Sequence, residues 1–130
     1  MAQFSRLRGK TVLITGGAGF IGSNLSDFIL AHGGRVVCLD DLSTGSLRNI
    51  EEARRNTRFI FIKGNANVSA DMQKAFRGRQ IDYVFHYAAR VGVIRTIEKP
   101  LEVLEYLEGI KNILELSRKN KVEKIVFSSS

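Results

Sequence analysis

Thr-Val-Leu-Ile-Thr-Gly-Gly-Ala-Gly-Phe-Ile-Gly, residues 11–22, leads from an apolar run through a glycine-rich turn into an apolar helical pattern. The unbroken apolar residues 12–14 are typical of a buried parallel strand. Gly17, Gly19 and Gly22 match the G-x-G-x-x-G pattern, and Gly16 precedes them. In that pattern glycine allows a tight turn, close approach of the backbone to phosphate and close packing of the helix, whose first N–H groups attract anions. The stretch therefore predicts a dinucleotide-binding turn; a strand, turn and helix without a ligand is the alternative.

An acidic residue closes the next apolar run. Asp40 follows Gly22 by 18 residues and ends the run 35–40. A carboxylate there accepts hydrogen bonds from the ribose hydroxyls and repels a 2′-phosphate, so it predicts NAD rather than NADP as the cofactor. Arg48 is a candidate for a phosphate, but the adjacent acids Asp40 and Asp41 argue against that. Asp41 itself is equally consistent with turn formation and with a role in binding.

The rest of the chain alternates between strand and helix patterns. Strands are predicted near 10–15, 35–39, 58–62, 82–86 and 123–128, and helices near 20–31, 46–54, 69–77 and 100–119. This order predicts an α/β fold, namely a Rossmann-like doubly wound parallel sheet of about five strands between two helical layers. Without an interdomain linker in the sequence, we expect one NAD-binding domain over 1–130.

Two predicted helices carry apolar faces that we expect to pack against the core. In the first helix these residues are Phe20, Ile21, Leu25, Phe28 and Ile29. In the last helix they are Leu101, Leu104, Leu107, Ile110, Ile113, Leu114 and Leu116.

Composition narrows the functional class. The 130 residues are 44% hydrophobic, enough for a core, and the single cysteine, Cys38, lies in an apolar run, which predicts a buried inert thiol and a reducing compartment. There is no signal peptide pattern and no apolar run near 18 residues, so we expect a soluble cytoplasmic protein without a membrane partner. The net charge of +7 is spread over most loops and helices, which predicts a solvated basic surface rather than a nucleic-acid site.

Five segments together resemble one family. They are 15–25, 40–45, 86–90, the Lys99-Pro100 step and 124–130. In this order they resemble the extended short-chain dehydrogenase/reductases, and within these the nucleotide-sugar epimerases and dehydratases of the UDP-glucose 4-epimerase type. The resemblance extends over essentially the whole chain. It implies an NAD-dependent oxidoreductase that acts on a nucleotide sugar by transient hydride transfer at a sugar hydroxyl.

The resemblance also implies a set of cofactor-binding residues. The pyrophosphate turn comprises Gly16, Gly17, Gly19, Phe20, Ile21 and Gly22. Asp40 is the ribose acid, and the loop around the adenosine comprises Asp41, Leu42, Ser43, Thr44 and Gly45. Asn65 and Ala66 match a segment that reads adenine; Asn65 replaces the usual acid, and its amide oxygen can still accept from the adenine amino group. The segment that passes toward the nicotinamide comprises Tyr87, Ala88, Ala89 and Arg90.

The catalytic residues of the resembling family are matched only in part. Ser130 matches its catalytic Ser position and is the last residue, while no Tyr-x-x-x-Lys occurs in the 130 residues. Where the family commonly has Asn-x-x-Gly, this chain has Tyr106-Leu-Glu-Gly109. We therefore expect the N-terminal portion of a longer enzyme, which binds NAD but does not turn over alone. A non-catalytic NAD-binding or regulatory module is the alternative.

Two further expectations concern metals and self-association. His86 ends an apolar run without Cys, Asp or Glu at metal-ligand spacing, so a hydrogen-bonded scaffold role is expected and no metal site is predicted. Members of the resembling family commonly dimerise through the fourth helix, which implies a possible homodimer or self-association through 100–119.

Overall fold

The computed structural model describes residues 6–88 and 100–128. Five strands and three α-helices alternate along this part of the chain. The strands are β1 (Thr11–Thr15), β2 (Arg35–Asp40), β3 (Phe59–Lys63), β4 (Tyr83–His86) and β5 (Lys124–Phe127). The helices are α1 (Phe20–Ala31), α2 (Ser69–Phe76) and α3 (Pro100–Lys119). All of these lie at or within a residue or two of the predicted ranges.

The five strands form one parallel sheet in the order β3-β2-β1-β4-β5. Ile14 of β1, for example, pairs with Cys38 of β2 on one side and with Phe85 of β4 on the other. The chain first builds outward from β1 to β3 and then crosses to the other side of β1 at β4. The carboxyl ends of β1 and β4 therefore flank the point where the strand order reverses, which is where doubly wound sheets bind ligands.

Helices cover both faces of this sheet, which confirms the Rossmann-like prediction. The core cluster on the α1 face includes Val12, Ile14, Ile29, Val36 and Cys38. The cluster on the face of α2 and α3 includes Leu13, Val37, Met72, Val84 and Ile113. Alternate residues of each central strand thus enter opposite clusters, as expected for a strand buried on both sides.

Helix α1 buries only part of the face that was predicted to pack against the core. Phe20 and Ile21 are 80% and 65% exposed, and Phe28 is also exposed. The buried residues are Gly22, Ser23, Ser26, Ile29 and Leu30. Because three of these have small side chains, the helix backbone lies close to the sheet and leaves no room there for aromatic rings. The prediction of the helix was right. Core packing is confirmed for Ile29 and for Leu25 beside it, and it was wrong for Phe20, Ile21 and Phe28.

The helix predicted near 46–54 is a pair of short 3₁₀ helices, Leu47–Ile50 and Ala53–Arg55. Their backbone bonds span three residues, as in the bond from Asn49 N–H to the Ser46 carbonyl. Ile50 and Ala53 are the buried residues of the two turns. Because these backbone bonds run from i+3 to i, the segment forms two separate 3₁₀ turns in place of the one predicted helix.

Helix α3 contacts the sheet through only part of its apolar face. Ile113 is buried and Leu116 packs beside it, but Leu101, Leu104, Leu107 and Leu114 are each about half exposed or more. The prediction of core packing is therefore wrong for these four leucines, because the helix approaches the sheet with its smaller residues, among them Gly109 and Ser117. Self-association through this helix stays a prediction. Within the described residues, no helix is both long and apolar enough to cross a lipid bilayer.

Candidate functional site

A glycine turn connects β1 to α1 at the point where the strand order reverses. Gly16 has a φ of 69°, a left-handed conformation that glycine adopts without steric penalty. A methyl group on Gly16 would also lie 2.7 Å from the carbonyl carbon of Tyr87 and 2.8 Å from Ala88 N. The segment after β4 thus packs directly on the turn, and a side chain at Gly16 would separate them.

Helix α1 begins without a side-chain cap. Its N-cap residue is Gly19, and its first turn has no acidic side chain. The first N–H groups of a helix have no partner within the helix and carry a partial positive charge. Gly16 and Gly19 line a cleft at the carboxyl end of the sheet, so this positive helix end adjoins the cleft. Such an arrangement is suited to bind an anion.

Asp40 joins the glycine turn to the loop that follows β2. Its buried carboxylate accepts from Ala18 N–H through Oδ2 (2.9 Å) and from Leu42 N–H through Oδ1 (2.8 Å). The Ala18 carbonyl in turn accepts from Ser46 N–H (3.1 Å) and from the side-chain amide of Asn49 (2.9 Å). Asp40 therefore fixes the shape of both loops. It also lines the cleft, and a carboxylate has more acceptor sites than these two bonds use.

A second carboxylate shapes the loop after β2. Asp41 Oδ1 accepts from Ser43 N–H (2.9 Å) and from the Ser43 hydroxyl (2.5 Å), so Asp41 does form a turn. Leu42 has a φ of 63° and packs against the core rather than into the cleft. Asp41, Ser43 and Thr44 line the cleft. The loop thus presents short polar side chains to the cleft and one apolar side chain to the core.

The loop after β3 forms the outer wall of the cleft. Gly64 N–H donates to the carbonyl of Asp40 (3.1 Å). The Asn112 side chain of α3 donates to the carbonyl of Ala66 (3.3 Å). Asn65 also lines the cleft. This loop is therefore held between β2 and α3, next to Asp40.

Thr15 and His86, at the ends of β1 and β4, fix the inner wall. Thr15 Oγ1 accepts from Tyr87 N–H (3.1 Å) and Ala88 N–H (3.3 Å) and lies 2.5 Å from His86 Nδ1. The Thr15 hydroxyl thus joins the His86 ring to the backbone of the segment after β4. Burial lowers the pKa of His86 to about 4, so the ring is neutral, and it stacks on the Tyr106 ring at 5.7 Å and 9°. These contacts agree with the expected scaffold role of His86.

Together these segments enclose a cleft of about 200 Å³. The predicted cofactor residues that line it are Gly16, Gly19, Asp40, Asp41, Ser43, Thr44, Asn65, Ala66, Tyr87 and Ala88. The predicted residues that do not form its wall are Gly17, Phe20, Ile21, Gly22, Leu42 and Gly45. Ala89, Arg90 and Ser130 lie outside the described residues. The fold thus brings together parts of four separate segments that the sequence analysis had assigned to one site.

The cleft also contains residues that were not predicted to bind a cofactor. They are Leu39, Gly64, Asn67, Glu105 and Tyr106. Glu105 and Tyr106 come from α3, about 40 positions after the loop they face. Tyr106 is at the position where the resembling family commonly has the first residue of Asn-x-x-Gly, whereas no pattern pointed to Glu105. Asn67 lies two positions after the predicted residue Asn65 and carries the same amide group. This repetition is a signal from which Asn67 could have been predicted as part of the site. Across the described ranges, no three His, Cys, Asp or Glu side chains are grouped so as to hold a metal ion.

Several known proteins are similar to this chain in sequence and in structure. A family model described as the NAD dependent epimerase/dehydratase family matches residues 12–130. A UDP-glucose 4-epimerase from Mycolicibacterium smegmatis is 38% identical over 119 residues, which are 91% of this chain and 38% of that protein. A UDP-N-acetyl-alpha-D-glucosaminuronate decarboxylase from Bacillus cytotoxicus is 37% identical over 93% of this chain and 36% of that protein.

A solved structure gives the same result for the fold. The crystal structure of a Thermus thermophilus UDP-glucose 4-epimerase in complex with NAD superposes with a TM-score of 0.81 at 37% identity. The match covers 92% of this chain and 37% of the other. The chain therefore spans a little over a third of the length of these relatives.

Proposed function

Because the chain belongs to the NAD dependent epimerase/dehydratase family, we propose that it binds NAD in the cleft and forms the cofactor-binding portion of an enzyme acting on a nucleotide sugar. The observation that carries this proposal is the placement of two features in one cleft. An uncapped helix end suited to an anion lies beside Asp40, whose carboxylate is suited to sugar hydroxyls.

The pyrophosphate binds at the start of α1. The donors are backbone N–H groups of the first turn, including those of Phe20 and Ile21, and the exposed side chains of these two residues leave their backbone role unaffected. Gly19 provides the clearance, because a methyl group there would meet only the Gly16 carbonyl oxygen, at 3.3 Å, within the protein. Gly17 supports the turn from the side of β2, and Gly22 supports it from the side of α1.

Asp40 binds the ribose next to adenine. Each carboxylate oxygen already accepts one backbone N–H and retains acceptor capacity for a hydroxyl. The same negative charge disfavours a 2′-phosphate, so the proposal specifies NAD over NADP. The surrounding loop comprises Asp41, Leu42, Ser43, Thr44 and Gly45, and Asn65 and Ala66 lie beyond it on the adenine side.

The other half of the cofactor extends along Tyr87 and Ala88, and we propose that Ala89 and Arg90 also bind it. NAD, when bound, supplies a group that accepts and returns a hydride. The residues proposed here bind and orient it, and Ser130 is proposed at the position where a hydroxyl meets the sugar. Since these 130 residues contain no Tyr-x-x-x-Lys to exchange the proton, we propose that on their own they bind NAD without turnover.

Calorimetric titration of the folded 130-residue chain with NAD and with NADP tests the binding proposal. We expect saturable binding of NAD and binding of NADP at least about tenfold weaker. Gly19→Ala should abolish binding of NAD because its methyl group occupies the space of the pyrophosphate. Gly78→Ala is the control for loss of stability: Gly78 lies outside the cleft, and its left-handed φ of 71° means that the added methyl group should lower stability without changing the affinity for NAD. A folded chain that takes up no NAD would refute the proposal.

The proposal on turnover needs a separate assay. The purified chain is incubated with NAD and UDP-glucose, and the sugar nucleotides are separated by chromatography. We expect unchanged UDP-glucose. Conversion by a preparation free of other enzymes would contradict the proposed lack of turnover and leave the binding proposal intact.

A further inference from the structure

One stretch of the sheet carries apolar side chains that no helix covers among the described residues. Tyr83 and Phe85 of β4 pair with residues of β1 that belong to the core cluster on the α1 face, so they lie on that face. Helix α1 packs over β1 and β2, and Tyr83 and Phe85 are only half-buried. Val126 of β5, the register partner of Phe85, is 40% exposed. Because helices normally cover both faces of a parallel sheet, this surface is expected to have a cover.

The uncovered side chains form the floor of an open groove of about 550 Å³, which we call the β5 groove. Its apolar residues are Leu7, Tyr83, Phe85 and Val126. The charged residues that line it are Arg6, Lys10, Glu123 and Lys124. Glu123 Oε1 is paired with Lys10 Nζ at 3.1 Å, so the border of the groove keeps a positive net charge. The β5 groove therefore combines an apolar floor with a cationic border.

The topology of the sheet argues against a further crossover helix as this cover. The helices that precede β4 and β5, which are α2 and α3, both contribute to the core cluster on the opposite face. A strand added beyond β5 would be reached by a crossover of the same hand and direction, and its helix would lie beside α3. The β5 groove therefore needs an element from outside this alternation of strands and helices.

Charge disfavours the nearest alternatives. A second copy of the chain would bring two cationic borders together, and each copy carries a net charge of +7. Residues 1–5 contain no acidic side chain, and residues 89–99 contain three cationic side chains and one acidic one. None of these supplies the negative charge that complements the border. The complementary surface is apolar with acidic side chains at its edges.

We infer that the β5 groove receives an amphipathic helix whose apolar stripe is bordered by acidic side chains. The stripe packs on Phe85 and Val126, and the carboxylates lie beside Arg6 and Lys124. On the proposed function, this helix belongs to the portion of the enzyme that the 130 residues do not span, because the chain covers a little over a third of the length of its relatives. The groove is thus the surface at which the rest of the enzyme docks on the NAD-binding portion, separate from the cleft.

A synthetic peptide tests the chemistry of the groove. The probe is a fluorescein-labelled, alanine-rich peptide of about 18 residues, long enough to be partly helical alone, with leucines on one stripe and glutamates on both borders. One control peptide has the same composition with the leucines spread around the helix, and the other has lysines in place of the glutamates. By fluorescence anisotropy we expect the folded 130-residue chain to bind the probe at least about tenfold more tightly than either control.

Substitutions locate the binding. Val126→Glu should weaken binding of the probe at least about tenfold, because it puts a carboxylate on the apolar floor. Ile60→Glu is the matched control and should change the affinity less than about twofold, since Ile60 is 42% exposed on β3, at the other edge of the sheet. Lys124→Glu should weaken binding of the probe and strengthen binding of the lysine-bordered peptide. Lys111→Glu, at an exposed position of α3, controls for net charge and should leave the preference for the probe in place.

The outcomes separate this inference from the proposal on which it rests. Equal binding of the probe and either control peptide, or equal effects of Val126→Glu and Ile60→Glu, would overturn the inference. A folded wild-type chain that binds NAD but not the probe would refute the helix and leave the proposed function standing. A chain that binds the probe but not NAD would refute the proposed function, and with it the assignment of the helix to the rest of an NAD-dependent enzyme. Titration of Val126→Glu with NAD should match the wild type, because Val126 lies outside the cleft, and establishes that this variant is folded.

Discussion

The thiol of Cys38, in the middle of β2, lies directly against the glycine turn at Gly17. A methyl group on Gly17 would come within 2.6 Å of Cys38 Sγ, closer than any unstrained contact, and within 3.1 Å of the Ile14 carbonyl oxygen. Ile14 of β1 and Cys38 of β2, which lie beneath the turn, are both fully buried. The turn therefore rests on β1 and β2 at Gly17, and its position over the cleft depends on that contact.

We predict that Gly17→Ala destabilises the chain by about 1–3 kcal/mol, the usual range for overpacking a rigid site. Cys38→Ala removes Sγ and should also destabilise the wild-type chain because it leaves a small void. The double variant should be more stable than the sum of the two effects predicts, since the smaller side chain admits the new methyl group. Urea denaturation of the four proteins measures this coupling. Strictly additive effects would mean that the contact between Gly17 and Cys38 is not the cause.

A second prediction concerns the reactivity of Cys38. Burial, with a smaller contribution from the Asp40 carboxylate, raises the pKa of the thiol to about 12 despite a backbone hydrogen bond from Gly17. At pH 8 the thiolate fraction is then roughly a thousandfold below that of an ordinary cysteine. We expect Ellman's reagent to react with the native chain only through opening of the structure, and immediately in 8 M urea. Rapid modification of the native chain would show that the thiol is accessible.

The sequence allowed prediction of those features that depend on neighbouring residues. The apolar run 12–14, the glycines after it and Asp40 at the end of the next run identify the strand, the turn, the helix and the position of an acid at the end of β2, because each depends on a short local pattern. The order of these segments then leads to the parallel sheet by the rule of right-handed crossovers.

Features that depend on distant contacts were not predictable in this way. The inner face of α1 is set by close approach to the sheet, which favours Gly22 and Ser26 over Phe20. Asn67 Oδ1, which has no hydrogen-bond partner among the described residues, lies against Gly109, which is 42 positions away. Periodicity and motif spacing contain no information about either contact, because both are determined by how the elements pack.

The end of α3 provides a prediction on stability. Lys121 has a φ of 56°, and Val122 N–H donates to the Ser117 carbonyl while Lys121 N–H donates to that of Arg118, which is the Schellman pattern. Glycine is favoured at this left-handed position. We expect Lys121→Gly to raise the free energy of unfolding by about 0.5–1 kcal/mol. Glycine removes the steric penalty of a side chain at this left-handed φ, and its greater flexibility in the unfolded chain offsets part of that gain. Lys121→Ala, which keeps the penalty, should leave stability nearly unchanged. Equal effects of the two substitutions would assign the gain to removal of the lysine charge.

The last prediction concerns His86 and pH. Burial lowers the pKa of His86 from 6.5 to about 4, so between these values the unfolded chain takes up a proton that the folded chain does not. The free energy of unfolding therefore rises with pH in this window. The part of it that His86 contributes is fully present above about pH 6.5 and is lost as the pH falls toward 4. Between pH 7 and pH 5 the loss amounts to about 2 kcal/mol.

We expect urea denaturation of the wild-type chain to show this decline relative to His86→Gln, whose amide does not titrate and can still accept from the Thr15 hydroxyl. The difference between the two proteins isolates His86 from the carboxylates, which titrate in both. Parallel pH profiles would mean that the imidazole is protonated in the folded chain or exposed to solvent.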